Sequence, residues 1–185
     1  MKRRIVVVLA VVLLLVSTVG AFAFEQKSKT YPWMASFDKT GQLNLYVSGG
    51  FYLYGFALGV GPEVILGNFD ISGIPLEWGL TAQGVFGFGS FAGFGSWVDW
   101  GVAPMITLHW GIDLGGPLKF DWWGGVGLGL YGTTGTYTFS SAGPFFGFAG
   151  TGGVSWQFSQ NFALILDSEY VGWTGIYGVG IKLNL

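Results

Sequence analysis

The sequence contains no cysteine and, beyond its fourth residue, no arginine. A chain without cysteine has no disulfide framework, and if exported it carries no lipid anchored through a cysteine behind its leader. Charge of either sign is scarce, at 10% of residues, where soluble domains carry about 25%. The bases after Arg4 are Lys27, Lys29, Lys39, Lys119 and Lys182, set against ten acids. No basic cluster arises from that set, which excludes the electrostatic footprint of a nucleic-acid or anionic-lipid binder. There is a single histidine, and a zinc site would want about three protein ligands. Long apolar runs are also missing past residue 23: no stretch offers the ~18 consecutive apolar residues of a transmembrane helix.

What is present begins with Lys2, Arg3 and Arg4, then an unbroken apolar run from Ile5 to Val16, then Ala21-Phe22-Ala23. This is the layout of a secretory signal peptide with an A-x-A cleavage site, so residues 1–23 are expected to be removed and the mature chain to begin at Phe24. A signal anchor is the competing reading, and the run falls short of the ~20 residues it needs. Residues 24–41 are more polar and read as an N-terminal periplasmic tail.

From Gln42 onward the chain alternates. In "DWGVAPMITLHWGIDL", residues 99–114, every second position from Trp100 to Leu114 is apolar, while Asp99, Thr107, His109 and Asp113 fall between them. Period two is the signature of a strand with two unlike faces. The same pattern predicts strands at about 43–53, 56–67, 76–88, 118–131, 145–158, 162–170 and 175–185. Eight strands in hairpin order close an antiparallel sheet with both termini on one side. A chain with 51% hydrophobic residues and no spanning helix is thereby expected to be all-β, an eight-stranded antiparallel up-and-down transmembrane β-barrel over residues 42–185.

Tryptophan spacing assigns the faces. Trp100 and Trp110 share a face ten residues apart, which at ~3.3 Å per residue and a tilt of ~40° approaches the ~25 Å apolar band of an outer membrane. Trp78, Trp100, Trp110, Trp122 and Trp156 are therefore expected in aromatic girdles, with the polar alternates inside. Glu63, Gln83, His109, Asp121, Asp167 and Lys182 are expected to form a polar network in the lumen, Glu63 facing Gln83 and Asp113 facing Lys119 across their hairpins. A narrow acidic cation path is the competing reading of these residues. His109 is expected to be a buried, hydrogen-bonded residue rather than a catalyst.

Three local features carry their own expectations. Pro62 and Pro104 fall inside strands where a closed sheet has no edge, which predicts a bulge at each. "GFGSFAGFGSW" predicts a hairpin tip whose glycines meet turn geometry, with a mobile lid and a helix-packing segment as alternatives.

The ending "YGVGIKLNL", with Tyr177, Val179, Ile181, Leu183 and Leu185 on one face, resembles the C-terminal signal by which assembly machinery recognises outer-membrane barrels. Together with the leader and the eight strands it is similar to the small outer-membrane proteins of the A-domain and X types and to uncharacterised spirochaete barrels. Leu185 stands where that family ends on an aromatic residue, and the outer loops are short. The resemblance is architectural, covers about residues 42–185, and transfers no active site. It implies an outer-membrane location, outer-membrane lipids and, during biogenesis, the barrel assembly machinery as partners. No nucleic acid, cofactor or metal is expected, and the chain is expected to be monomeric. The expected function is a non-enzymatic envelope role with a side-chain-filled lumen. A narrow cation-preferring channel, a small-ligand-binding barrel and a soluble secreted ligand-binding barrel remain the alternatives.

Overall fold

The structure is a computed structural model that describes residues 33–35, 37, 39–52, 55–91, 95–135 and 142–185. The expected leader and most of the expected tail lie outside the described residues. The strands are β1 Met34–Ala35, β2 Leu43–Tyr52, β3 Gly55–Ile71, β4 Ile74–Phe91, β5 Gly95–Asp113, β6 Lys119–Gly135, β7 Ala142–Gln157, β8 Phe162–Val171 and β9 Thr174–Asn184. No described helix is long and apolar enough to cross a membrane.

The fold is all-β and antiparallel. Each strand from β2 to β8 pairs with the next, and β9 returns to β2 from Asn44↔Asn184 to Phe51↔Tyr177, so the eight long strands form a ring. A ring leaves no strand without a partner on either side, which satisfies backbone donors and acceptors that an open edge would leave bare. Strand alternation then sorts the side chains. On β5, Val102, Pro104, Ile106 and Leu108 face outward while Ala103, Met105, Thr107 and His109 are buried. Ile106 is 56% exposed and its neighbour Thr107 1%.

The turns follow from local chemistry. Ser72 and Gly73 both take positive φ, 55° and 85°, as a two-residue hairpin turn requires. The Gly73 N–H donates to Asp70 Oδ1 at 2.7 Å. Asp113 Oδ1 accepts from Gly115 N–H at 2.8 Å and pairs in register with Lys119, as their spacing predicts.

Several local expectations are corrected. Pro62 and Pro104 cause no register shift. The β3–β4 ladder passes from Val60↔Gly84 to Glu63↔Thr81, and β5–β6 from Val102↔Leu130 to Met105↔Gly127, each skipping two rungs in constant register. An interruption of two rungs in constant register is a smaller disturbance than an extra residue, and at Pro62 the Thr81 hydroxyl donates to the proline carbonyl at 2.9 Å. The irregularities lie elsewhere, between Ile65 and Gly67 and between Tyr131 and Thr133. The first, together with a turn centred between Ser72 and Gly73, sets Glu63 opposite Thr81 instead of Gln83. The glycines of the first "GFGS" are strand residues as well: Gly87 pairs with Asp99 and Gly89 with Trp97. Their missing Cβ atoms leave room for the Tyr52 and Trp97 rings. The lid reading of residues 92–94 lies outside the described residues.

Residues of the expected tail also join the fold. β1 pairs with the end of β5 through Met34↔Ile112 and Ala35↔Gly111, and Gly41 N–H donates to Ile65 O at 2.8 Å.

Candidate functional site

Period two on β2 through β9 aims one residue in two at the axis of the ring, and the charged residues of the strands concentrate there. Glu63, Glu77, Asp99, His109, Asp121, Asp167, Glu169 and Lys182 are all buried. Toward the end of the ring that holds Leu43 and Asn184, six of these strands meet in one network.

Glu63 on β3 is its first centre. It accepts hydrogen bonds from Asn44 Nδ2 at 3.1 Å, from Thr107 Oγ1 at 2.7 Å and from the Tyr46 hydroxyl. His109 Nε2 lies 2.9 Å from Glu63 Oε1, while His109 Nδ1 lies 3.3 Å from Asp121 Oδ2. A neutral imidazole could donate to only one of these carboxylates. Asp121 on β6 is the second centre, with Lys182 Nζ and Lys39 Nζ each 2.8 Å from Oδ2. Lys39 also reaches Glu77 Oε2 at 3.6 Å, and its backbone N–H donates to Glu77 Oε1 at 3.3 Å. Three acids thus meet two lysines and a histidine. Burying an isolated charge costs several kcal/mol, so these groups hold one another in the interior only as a set. The Tyr46 ring packs on Trp123 at 5.5 Å between centroids and has Lys182 Nζ 5.9 Å above it.

Above the network the interior turns apolar. Ala57, Val85, Met105, Val171 and Ile176 form a packed layer flanked by Tyr52 and Tyr131. Inward glycines do not leave this space empty. The place of a side chain at Gly101 is taken by Val171, at Gly147 by Tyr131 and at Gly153 by Trp123. Beyond the layer, Asp99 accepts hydrogen bonds from Trp97 Nε1 at 3.0 Å and from the Tyr52 and Thr133 hydroxyls.

Of the six residues singled out for the interior, Glu63, His109, Asp121 and Lys182 come together. Gln83 is buried on β4, its stem over Gly61, and its Oε1 has no hydrogen-bond partner among the described residues. Asp167 is buried on β8, away from those four. Sequence reasoning missed Lys39, because it precedes the first alternating strand. Its one signal is a lysine following an aromatic at i−2, and Phe37 indeed fills the side-chain place of Gly111. Asn44 and Tyr46 carry the inward parity of β2 and were legible only as filling.

On the outside, Trp78, Trp110, Trp122 and Trp156 lie toward the network end: Trp110 pairs with Trp122 and stacks on it at 6.2 Å, and Phe120 pairs with Trp156. Trp100 lies toward the other end, opposite Phe86 and Gly132. Tyr177, Val179, Ile181 and Leu183 share the outer face of β9, and Leu185 follows its last residue. A cleft of about 720 Å³ opens at the network end beside Lys39, Lys119, Gln157 and Gln160. No protein-family model and no curated protein matches the chain.

Proposed function

We propose that the chain is an integral outer-membrane β-barrel with a side-chain-filled interior, serving a structural role in the envelope without catalysis. One observation carries this reading. Every charged residue in the described strands is either buried inside the ring or placed beside a hairpin turn, as Asp70, Asp113 and Lys119 are. The outward positions between the turns hold Leu, Val, Ile, Phe, Trp, Tyr, Ala, Gly, Ser, Thr and Pro. A polar inside and an apolar outside invert the distribution of a soluble protein, where exposed apolar patches rarely exceed a few hundred Å². They match a ring of strands immersed in hydrocarbon.

The tryptophans at the network end and the phenylalanines at the other, among them Phe51, Phe86, Phe88, Phe146 and Phe148, supply aromatic belts on this reading. An envelope role without catalysis is supported by His109, fully buried with both ring nitrogens against carboxylates. The apolar layer across the interior supports a closed lumen over a conducting one. The mature chain is expected to stay with the outer-membrane pellet after a urea wash. Recovery in the soluble periplasmic fraction would overturn the membrane reading, and stable conductance steps in a planar bilayer would overturn the filled lumen.

A further inference from the structure

The interior carboxylates are not treated alike. Glu63, Glu77 and Asp121 have lysine or histidine partners, and Asp99 has three hydrogen-bond donors. Asp167 and Glu169, two residues apart on β8 and so on one face of it, have no lysine or histidine partner, and interact with each other and with Ser48. Asp167 is 7% exposed and Glu169 2%, and Asp167 Oδ1, Asp167 Oδ2 and Glu169 Oε2 lack a hydrogen-bond partner among the described residues. Ser48 on β2 adds a separate observation: it too is 2% exposed, with an unpartnered Oγ.

These oxygens converge. A Cβ at Gly59 on β3 would stand 2.6 Å from Ser48 Oγ and 2.8 Å from Glu169 Oε2, so both atoms crowd the open face of one glycine. Asp167 lies close enough to Ser48 and Glu169 to interact with both. Its cross-strand neighbours are Gly153 and Gly178, which offer no side-chain donor. The interior cations Lys39, Lys182 and His109 are already held by Glu63, Glu77 and Asp121.

We propose that Asp167, Glu169 and Ser48 form a binding site for a hard divalent cation, calcium or magnesium, inside the ring. The donor set is all oxygen, which suits these ions and not the softer metals. The two carboxyls have no lysine or histidine beside them, and one divalent ion would match their charge once both are ionised. Among the described residues no three His, Asp or Glu side chains converge as a cage, so the protein provides a partial shell and water completes it. The site stands whether the outside of the ring meets lipid or water, and its failure is separable from that of the membrane reading.

The test is thermal unfolding of the purified protein in detergent, first stripped with chelator and then titrated with calcium chloride or magnesium chloride alone. Sodium chloride at matched ionic strength is the control. One of the two divalent ions is expected to raise the unfolding temperature saturably, by about 5 °C or more when in hundredfold excess over its Kd. Glu169→Gln and Asp167→Asn, which keep size and remove charge, abolish that rise. Ser48→Ala, which keeps both charges, shifts half-saturation to several-fold higher concentration and serves if a carboxylate variant fails to fold. No rise with either ion, an equal rise with sodium, or an undiminished rise in Glu169→Gln would overturn the proposal.

Discussion

Two levels of the ring interior are filled by different means. At the network end, Asp121 and Glu63 tie residues of β2, β3, β5, β6 and β9 together through charge, and Lys39 brings the N-terminal segment into the same cluster. Above it, Met105, Val171, Ile176 and their neighbours fill the space by shape, with glycines admitting large side chains from across the ring. The first arrangement depends on every partner being present, because one deletion strands another buried charge. The second degrades with the volume removed.

That difference orders the expected effects. Asp121→Ala should be the most damaging, since it leaves Lys39 and Lys182 facing each other without their carboxylate; a loss of about 3–5 kcal/mol is expected in urea unfolding of the refolded protein. Met105→Ala in the apolar layer should cost about 2–3 kcal/mol, toward the lower end for a buried methionine because neighbouring side chains can close in. A larger loss for Met105→Ala than for Asp121→Ala would reverse the comparison. Lys39→Met keeps the length of the side chain and removes two ion pairs, while Asp121 retains Lys182 and His109. A loss of about 1–3 kcal/mol is expected, accompanied by faster proteolysis near residues 33–40. Lys119→Ala should change stability by less than about 1 kcal/mol, because its partner Asp113 is part-exposed at 3.7 Å and the pair is screened by solvent.

The strand order and the side to which each residue points were legible in the sequence, because period two survives any small error in strand ends. Thr107 and Ile106 illustrate this: adjacent residues, opposite faces, as the alternation of residues 99–114 requires. Register was less legible. The shift at Leu66 has no marker in "VILGN", where Gly67 is one glycine among many, and together with a turn centred between Ser72 and Gly73 it moves Glu63 from Gln83 to Thr81. The prolines misled because sequence counts a missing donor without showing that two rungs can be skipped with the register kept. Lys39 was illegible for a different reason: its role depends on the N-terminal segment folding back over the mouth of the ring, which no local periodicity encodes. Asp167 was legible as an inward residue and Glu169 shares its parity, and only the three-dimensional arrangement separates them from the carboxylates that have lysine or histidine partners.

The absence of native cysteine allows the central claim, an outside that meets lipid and an inside that is packed, to be tested one residue at a time along β5. Single cysteines at Val102, Ala103, Met105, Ile106, Thr107 and Leu108 can each carry a nitroxide label in protein refolded into lipid bilayers, and collision with oxygen can be compared with collision with a water-soluble nickel chelate. The account predicts that Val102, Ile106 and Leu108 collide strongly with oxygen and weakly with nickel, whereas Ala103, Met105 and Thr107 are shielded from both. Strong nickel collision at Val102, Ile106 and Leu108 would place that face in water and contradict it.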